Sequence, residues 1–167
     1  MVIDFTALSV RDAYTWMAGT IIPRPIAWVS TISPEGRTNL APFSFFQAVT
    51  ANPPTLMFVP VNDRSGGKKD TVRNIEEDVP EFVVHIVDEA VSAKMSLAAA
   101  DFPTGVSEID FAGFQTAPSL KVRPPRLVEC PVQLECRLLQ IVRVGRRPNV
   151  VVMGEVVHFH FREGLVN

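Results

Sequence analysis

Cysteine, tyrosine, tryptophan and histidine are all scarce: two, one, two and three in a chain of 167 residues. Two cysteines are too few to staple a small secreted fold. If Pro131 to Val142 is one strand, Cys130 and Cys136 start about 20 Å apart along it, beyond disulfide reach, and they read as the reduced residues of an intracellular protein. A charge excess is also missing. Sixteen Lys and Arg against eighteen Asp and Glu give a net charge of -2, so no overall positive field exists to hold a phosphate polymer or an anionic membrane surface, and nucleic acid is not an expected partner. The longest uncharged run, Thr38 to Asn62, is interrupted by Pro42, Pro53, Pro54 and Pro60, which excludes a membrane-spanning helix. Asp4 precedes any basic residue and no charged-then-apolar leader follows, so the expected compartment is the cytoplasm.

Repeats, low-complexity tracts and linker-like composition shifts are absent too, and a single domain over residues 1–167 is expected. A chain of this length buries roughly 70% of the surface its unfolded form exposes, enough for a full core. Proline is plentiful at 14 residues and punctuates short elements. Between the prolines, valine gathers in five runs that read as strands: Ile26 to Ile32, Thr55 to Val61, Phe82 to Val87, Val132 to Val142 and Asn149 to Phe161. Along the fourth, Val132, Leu134, Cys136 and Leu138 share one face and Gln133, Glu135 and Arg137 the other, as in a half-buried strand. Asp70 is placed to cap a short helix from Thr71 to Asp78 with Val72 and Ile75 inward. Asp88 is placed to cap a second in which Val91, Met95, Ala98 and Phe102 recur at helical spacing. The pattern lacks the strand–helix alternation of a parallel sheet, so the expected class is mostly β (α+β), an antiparallel barrel with flanking helices.

Three segments could carry chemistry. Trp28, Val29, Ser30 and Thr31 close a strand entered through Pro23 and Pro25; alone, the two hydroxyls are as well explained by local backbone contacts. Ala41, Pro42, Phe43, Ser44, Phe45 and Phe46 interleave small, polar and aromatic residues, the surface a planar heterocycle needs, although the phenylalanines could equally be core. Arg64 to Thr71 is a loop with three cations running into the first helix, where Lys69 and Thr71 could meet a phosphate or simply face water. The glycine spacing is not that of a Walker loop. His158 and His160 alternate along the last strand and share a face, but a metal needs a third ligand that only His85 or scattered carboxylates could supply, and no metal site is expected.

Taken in order, Pro23–Thr31, Asn39–Phe46, Lys69-Asp70-Thr71-Val72-Arg73-Asn74-Ile75 and Gly154-Glu155-Val156-Val157-His158 resemble the flavin reductase-like, FMN-binding split β-barrel family. The resemblance runs from about Pro23 to the C-terminus and includes Ala100–Pro103 and Pro124-Pro125-Arg126. It implies a Greek-key-type split barrel, a homodimer with FMN near the subunit interface, and hydride transfer from NADH or NADPH to flavin. It also implies an oxygenase or other electron-acceptor protein as partner. On the same basis Trp28 to Thr31 and Ala41 to Phe46 line the isoalloxazine ring, Ser44 offers a polar contact, and Lys69, Asp70 and Thr71 lie near the phosphate. Relatives often carry Asn where this chain has His85, and a histidine where it has Pro148 and Asn149. His160 is then the candidate residue near the nicotinamide. The alternative is a non-catalytic FMN carrier that passes electrons to a partner protein.

Overall fold

A computed structural model describes residues 1–61, 67–99, 107–146 and 149–166. Arg64 to Gly66 of the cationic loop, Ala100 to Pro103 with Phe102, and Pro148 lie outside the described residues. The chain opens with helix α1 (Val10–Thr20), then strands β1 (Ala27–Ile32), β2 (Thr38–Phe43), β3 (Phe46–Ala51) and β4 (Pro54–Phe58). Helix α2 (Asp70–Arg73) continues into a π-helical turn, Asn74–Asp78, and leads to β5 (Glu81–Ile86). Helices α3 (Glu89–Ala98) and α4 (Glu108–Ala112) follow, then short β6 (Thr116–Ala117) and β7 (Arg126–Leu127), and the long hairpin of β8 (Val132–Val144) and β9 (Asn149–Phe161). No described helix is long and apolar enough to cross a membrane.

Seven strands form one antiparallel sheet in the order β2-β1-β5-β8-β9-β4-β3. Its two edges are neighbours in sequence. Only Ser44 and Phe45 separate β2 from β3, so Phe43 and Phe46 stand at most about 11 Å apart. A flat sheet would hold those edges about six strand spacings apart, near 29 Å. The sheet must curl back on itself, and it does so as a barrel.

Strand periodicity sorts the side chains into two cores. Val29, Phe43, Phe58, Phe82, Val84 and Val152 fill the barrel, with Phe58 stacked on Phe43 at 5.2 Å and edge-on to Phe82 at 5.3 Å. Gly154 of β9 makes room for that packing: a Cβ there would overlap Phe82 Cζ and stand 2.9 Å from Cε1. On the outer face Trp28, Leu40, Val91, Ala98, Ile109, Phe114 and Leu127 form a second cluster, with Trp28 edge-on to Phe114 at 4.8 Å.

The five valine-rich runs are all strands and the two expected helices are both present, with Val72 and Ile75 buried as expected. Three expectations change. Asp70 is not a cap: Lys69 holds the N-cap position and Asp70 is the first helical residue, its carboxylate accepting from Arg73 at 2.6 Å. Asp88 does hold the N-cap of α3 but makes no side-chain capping bond; its Oδ2 accepts from Arg162 at 3.3 Å. Gln133 and Glu135 lie on a buried face rather than a solvated one, because the segment from Phe114 to Pro131 lies over it. The sequence pattern predicts none of β2, β3, β6, β7, α1 and α4. The start of α1 had a local signal, Ser9 three residues before Asp12, and Ser9 Oγ does accept from the Asp12 N–H at 3.1 Å.

Candidate functional site

The end of β1 is tied to α2 by hydroxyls and amides. Asn39 Nδ2 donates to Thr31 Oγ1 at 3.3 Å and to Thr71 Oγ1 at 2.9 Å, and Asn74 Nδ2 donates to Thr31 Oγ1 at 3.0 Å. Thr31 and Thr71 are buried, so these bonds fix where the helix starts relative to β1 and β2. Asn39 and Asn74 were not singled out as site residues, although both sit inside the quoted motifs. A cavity of about 200 Å³ opens beside them, lined by Arg37, Asn39, Asp70, Arg73 and Asn74 among others.

Behind this network β1 is solid. Trp28, Val29 and Ser30 are fully buried; Trp28 faces the outer cluster, Val29 the barrel, and Ser30 Oγ donates to the Pro125 carbonyl at 2.7 Å. Their side chains can back a ligand surface without touching its solvent side. Ala41, Pro42, Ser44, Phe45 and Phe46 are half-buried; Phe43 points into the barrel, and Ala41 and Phe46 pack against the same core. Phe45 is held from the N-terminal side: the Arg24 guanidinium lies 5.7 Å over its ring and Tyr14 meets its edge at 6.1 Å. Arg24 is placed there by the C-terminus of α1, where it donates to the Ala18 and Ile21 carbonyls. Lys69 is half-buried, and among the described residues no carboxylate lies within ion-pair distance of it.

The histidines belong elsewhere. His85 is fully buried on β5, with Nδ1 2.8 Å from the Trp28 carbonyl and Nε2 accepting from the Leu127 N–H at 3.0 Å. An N–H donor at Nε2 leaves the ring proton on Nδ1, which donates to Trp28. Burial lowers its pKa from 6.5 to about 4; the Trp28 carbonyl opposes that shift and the nearby Arg126 charge adds to it, so the ring is neutral. His160 donates to buried Glu135 at 2.6 Å, and Glu135 also accepts from the Leu120 and Lys121 N–H groups at 2.8 and 2.6 Å. Burial pushes the Glu135 carboxyl upward, but the Leu120, His160 and Lys121 bonds outweigh it and hold the group below its ordinary range. Glu135 therefore fastens the covering segment to the barrel. We expect Glu135→Gln, which keeps the shape and loses the charge, to cost about 1–2 kcal/mol in a urea melt at pH 7; an unchanged midpoint would remove that role.

His160 is on β9, three strands from β1, and is not gathered with Thr31, Ser44 or Lys69. His158 and His160 touch ring to ring at 4.8 Å. No group of three or more potential ligands among the described residues is placed to hold a metal. Both cysteines are free and buried, and burial raises the Cys130 thiol to about 12 and the Cys136 thiol as well. Neither is a thiolate at neutral pH.

The family described as "Flavin reductase like domain" matches residues 17–167. The chain belongs to the flavin reductase-like family. An uncharacterised protein of Deinococcus radiodurans is 40% identical over 98% of this chain and 72% of its own length. The crystal structure of nitrilotriacetate monooxygenase component B from Bacillus cereus is 36% identical, with a TM-score of 0.94 over 100% of this chain and 84% of that one. A split-barrel protein of Shewanella frigidimarina, 18% identical, shares the fold with a TM-score of 0.85 over 100% of this chain and 83% of its own. Family membership makes the chain a flavin-related oxidoreductase built on a split β-barrel.

Proposed function

We propose that this flavin reductase-like domain binds FMN on the surface made by Trp28–Thr31, Ala41–Phe46 and Lys69–Thr71, and reduces it with NADH or NADPH. The carrying observation is the half-buried strip Ala41–Phe46. Within it Ala41, Phe43 and Phe46 pack on the barrel core, while half-buried Ser44 and Phe45 lie outside that cluster and offer a hydroxyl and a ring beside a β1 that is packed on both faces, as a flat ligand requires. The residues fit the cofactor. Ala41 allows close backbone approach, the Ser44 hydroxyl offers one polar contact, and the Arg24–Phe45–Tyr14 contacts keep the Phe45 ring in place. Lys69 supplies a cation for the phosphate, while Thr71 and Asp70 act one step back. Thr71 is bonded to Asn39 and fixes the helix start, and Asp70 orients Arg73. Bound flavin would supply the hydride-accepting chemistry; the protein's share is to bind, orient and exclude water.

Two further parts of the reading concern partners. Helix α1 buries none of its residues and β3 is exposed almost throughout, which supports a homodimer covering both. Component B of a monooxygenase, as a relative, supports an oxygenase or another electron-acceptor protein as the destination of the reduced flavin.

The test is a visible spectrum after incubation with FMN and removal of free ligand, followed by anaerobic NADH or NADPH. Retained flavin that bleaches rapidly is the expected result; protein that stays colourless and shows no flavin-dependent NAD(P)H oxidation overturns the reading. Lys69→Ala is expected to weaken FMN binding roughly tenfold to a hundredfold and to leave riboflavin, which lacks the phosphate, unaffected. Equal FMN affinity in the variant would show that Lys69 does not meet the phosphate. A second reading, an FMN carrier without a productive nicotinamide site, is favoured by the engagement of His160 with Glu135 away from the strip. Bleaching by dithionite but by neither nicotinamide would select it.

A further inference from the structure

Neighbouring strands of the sheet differ in length, and one stretch of backbone is left without a partner. Strand β4 pairs with β9 only along Thr55–Phe58, opposite Glu155 to Val152. β9 runs on to Phe161 with β8 on one side, and among the described residues nothing pairs with its other side there. The phase of the ladder sets which groups face outward. The Arg162 N–H donates to the Pro131 carbonyl at 2.8 Å, and in an antiparallel pair alternate residues turn their backbone groups the same way. His160, two residues back, therefore bonds β8, while Phe159 and Phe161 turn their N–H and C=O groups to the open side. The two outermost strands are guarded by comparison. On β2, Pro42 has no N–H and the Leu40 N–H is taken by Glu108 Oε2 at 2.9 Å; on β3 a register shift between Ala48 and Thr50 interrupts the ladder. The stretch His158–Phe161, beyond the register shift opposite Glu135 and Cys136, has no proline, lysine or carboxylate to discourage pairing.

The two faces beside this edge differ. Phe159 and Phe161 lie on one, their rings nearly parallel at 7° with centroids 5.5 Å apart, and both are about half exposed. His158 and His160 lie on the other, the face on which Arg126 meets Gln133. A cavity of about 480 Å³ is lined from both faces, by the two phenylalanines and by His160 and Arg126 among others, as happens only where a strand has no neighbour at its side or its end. On the histidine face the carboxylates are engaged: Glu135 accepts from His160, and Asp88 pairs with Arg162. Arg126 meets only neutral acceptors among the described residues, Gln133 Oε1 at 2.7 Å and the Pro118 carbonyl at 3.3 Å, so its charge is left for a partner. We infer that the open edge of β9 takes an added strand, an extended segment of a partner protein in which apolar residues on the phenylalanine face alternate with acidic residues on the histidine face. Backbone pairing with Phe159 and Phe161 supplies the affinity, and the alternation fixes which face of the segment turns which way. This edge owes nothing to the flavin reading and stands or falls separately.

The probe is a short capped peptide of alternating valine and glutamate, titrated into the whole protein and followed by calorimetry and by hydrogen exchange. Residues opposite one another in a ladder share a face, so the valines stand opposite Phe159 and Phe161 and turn their amides towards β9, while the glutamate amides face solvent. Methylating the valine nitrogens is therefore expected to weaken binding by roughly tenfold or more, and methylating the glutamate nitrogens to change it by less than about twofold. With peptide bound, the Phe159 and Phe161 amides should exchange roughly tenfold or more slowly, and the His160 amide, already bonded to β8, should not change. An alternating valine–lysine peptide should bind severalfold more weakly, and Arg126→Gln should narrow that difference. Three results would each overturn the inference: no binding at millimolar valine–glutamate peptide, equal or reversed effects of the two methylations, or Phe159 and Phe161 amides already protected in the protein alone, which would mean that a second copy of the chain holds the edge.

Discussion

Lowering the pH from 7 to about 4 should strip roughly 3 kcal/mol of stability from the protein through His85 alone. The folded chain holds this imidazole neutral, its pKa brought from 6.5 down to about 4 by burial. Between those two values the unfolded chain binds a proton that the folded one does not, so acid favours unfolding. The contribution is therefore complete above about pH 6.5 and is lost as the pH falls towards 4, at a slope approaching 1.4 kcal/mol per pH unit. Protonation has a structural consequence besides the charge. A proton on Nε2 turns the acceptor of the Leu127 N–H into a donor facing a donor, so the β7 segment loses its tie to β5. Glu108 works in the opposite sense, since burial raises its pKa, but it is only partly buried. Urea midpoints at pH 7.5 and 4.5 check this. The parent should lose most of the predicted amount and His85→Gln, which cannot titrate, should have a flatter profile; parallel profiles would refute it.

Gly154→Ala should cost about 3 kcal/mol although it adds one methyl group. The added Cβ would overlap Phe82 Cζ and sit 3.3 Å from the Arg137 carbonyl oxygen. Phe82 cannot swing aside freely, because its ring is wedged against Phe58 in the closed barrel. Overpacking of this kind ordinarily costs 1–3 kcal/mol, with the upper end expected where backbone as well as side chain is in the way. The discriminating measurement is a double-mutant cycle with Phe82→Leu, which shortens the side chain that clashes. Each single change should destabilise, and the double should be more stable than their sum by 1 kcal/mol or more. Additive costs would mean that the glycine serves the backbone and not the ring.

The parts of the fold legible in the sequence were those with one buried face. Five valine-rich runs advertised themselves by alternation or by β-branched composition, and all five are strands. Strand β3 gave no such signal because it has almost no buried side: Gln47 to Ala51 are all exposed, and alternation reports burial, not hydrogen bonding. Strand β2 was hidden by Pro42, which a sheet tolerates only at an edge or a bulge, and β2 is the edge. Glu135 and Gln133 misled for a related reason. Their pattern on β8 is that of a solvated face, and only the tertiary path of the Phe114–Pro131 segment makes it an interior one. At the candidate site the quoted motifs placed the right segments together, since Asn39, Thr71 and Asn74 meet around Thr31. The motifs could not say which way each side chain turns. Thr71 reads as a phosphate ligand by position and is an internal tie by geometry; His85 stands where relatives often have Asn and is a buried two-ended link between β5, β1 and β7.

The order of strands also dictates when during synthesis the barrel can close. Strands β1, β2 and β5 find one another within the first half of the chain, whereas β4 pairs with β9, Thr55 opposite Glu155. Until β9 leaves the ribosome, the β3–β4 hairpin has one partnerless edge along Thr55–Phe58. Such long-range pairing is slow and exposes apolar surface while it waits. A nascent chain stalled before Asn149 should accordingly be held by chaperones or degraded, and only the final thirteen-residue strand releases it as a folded domain.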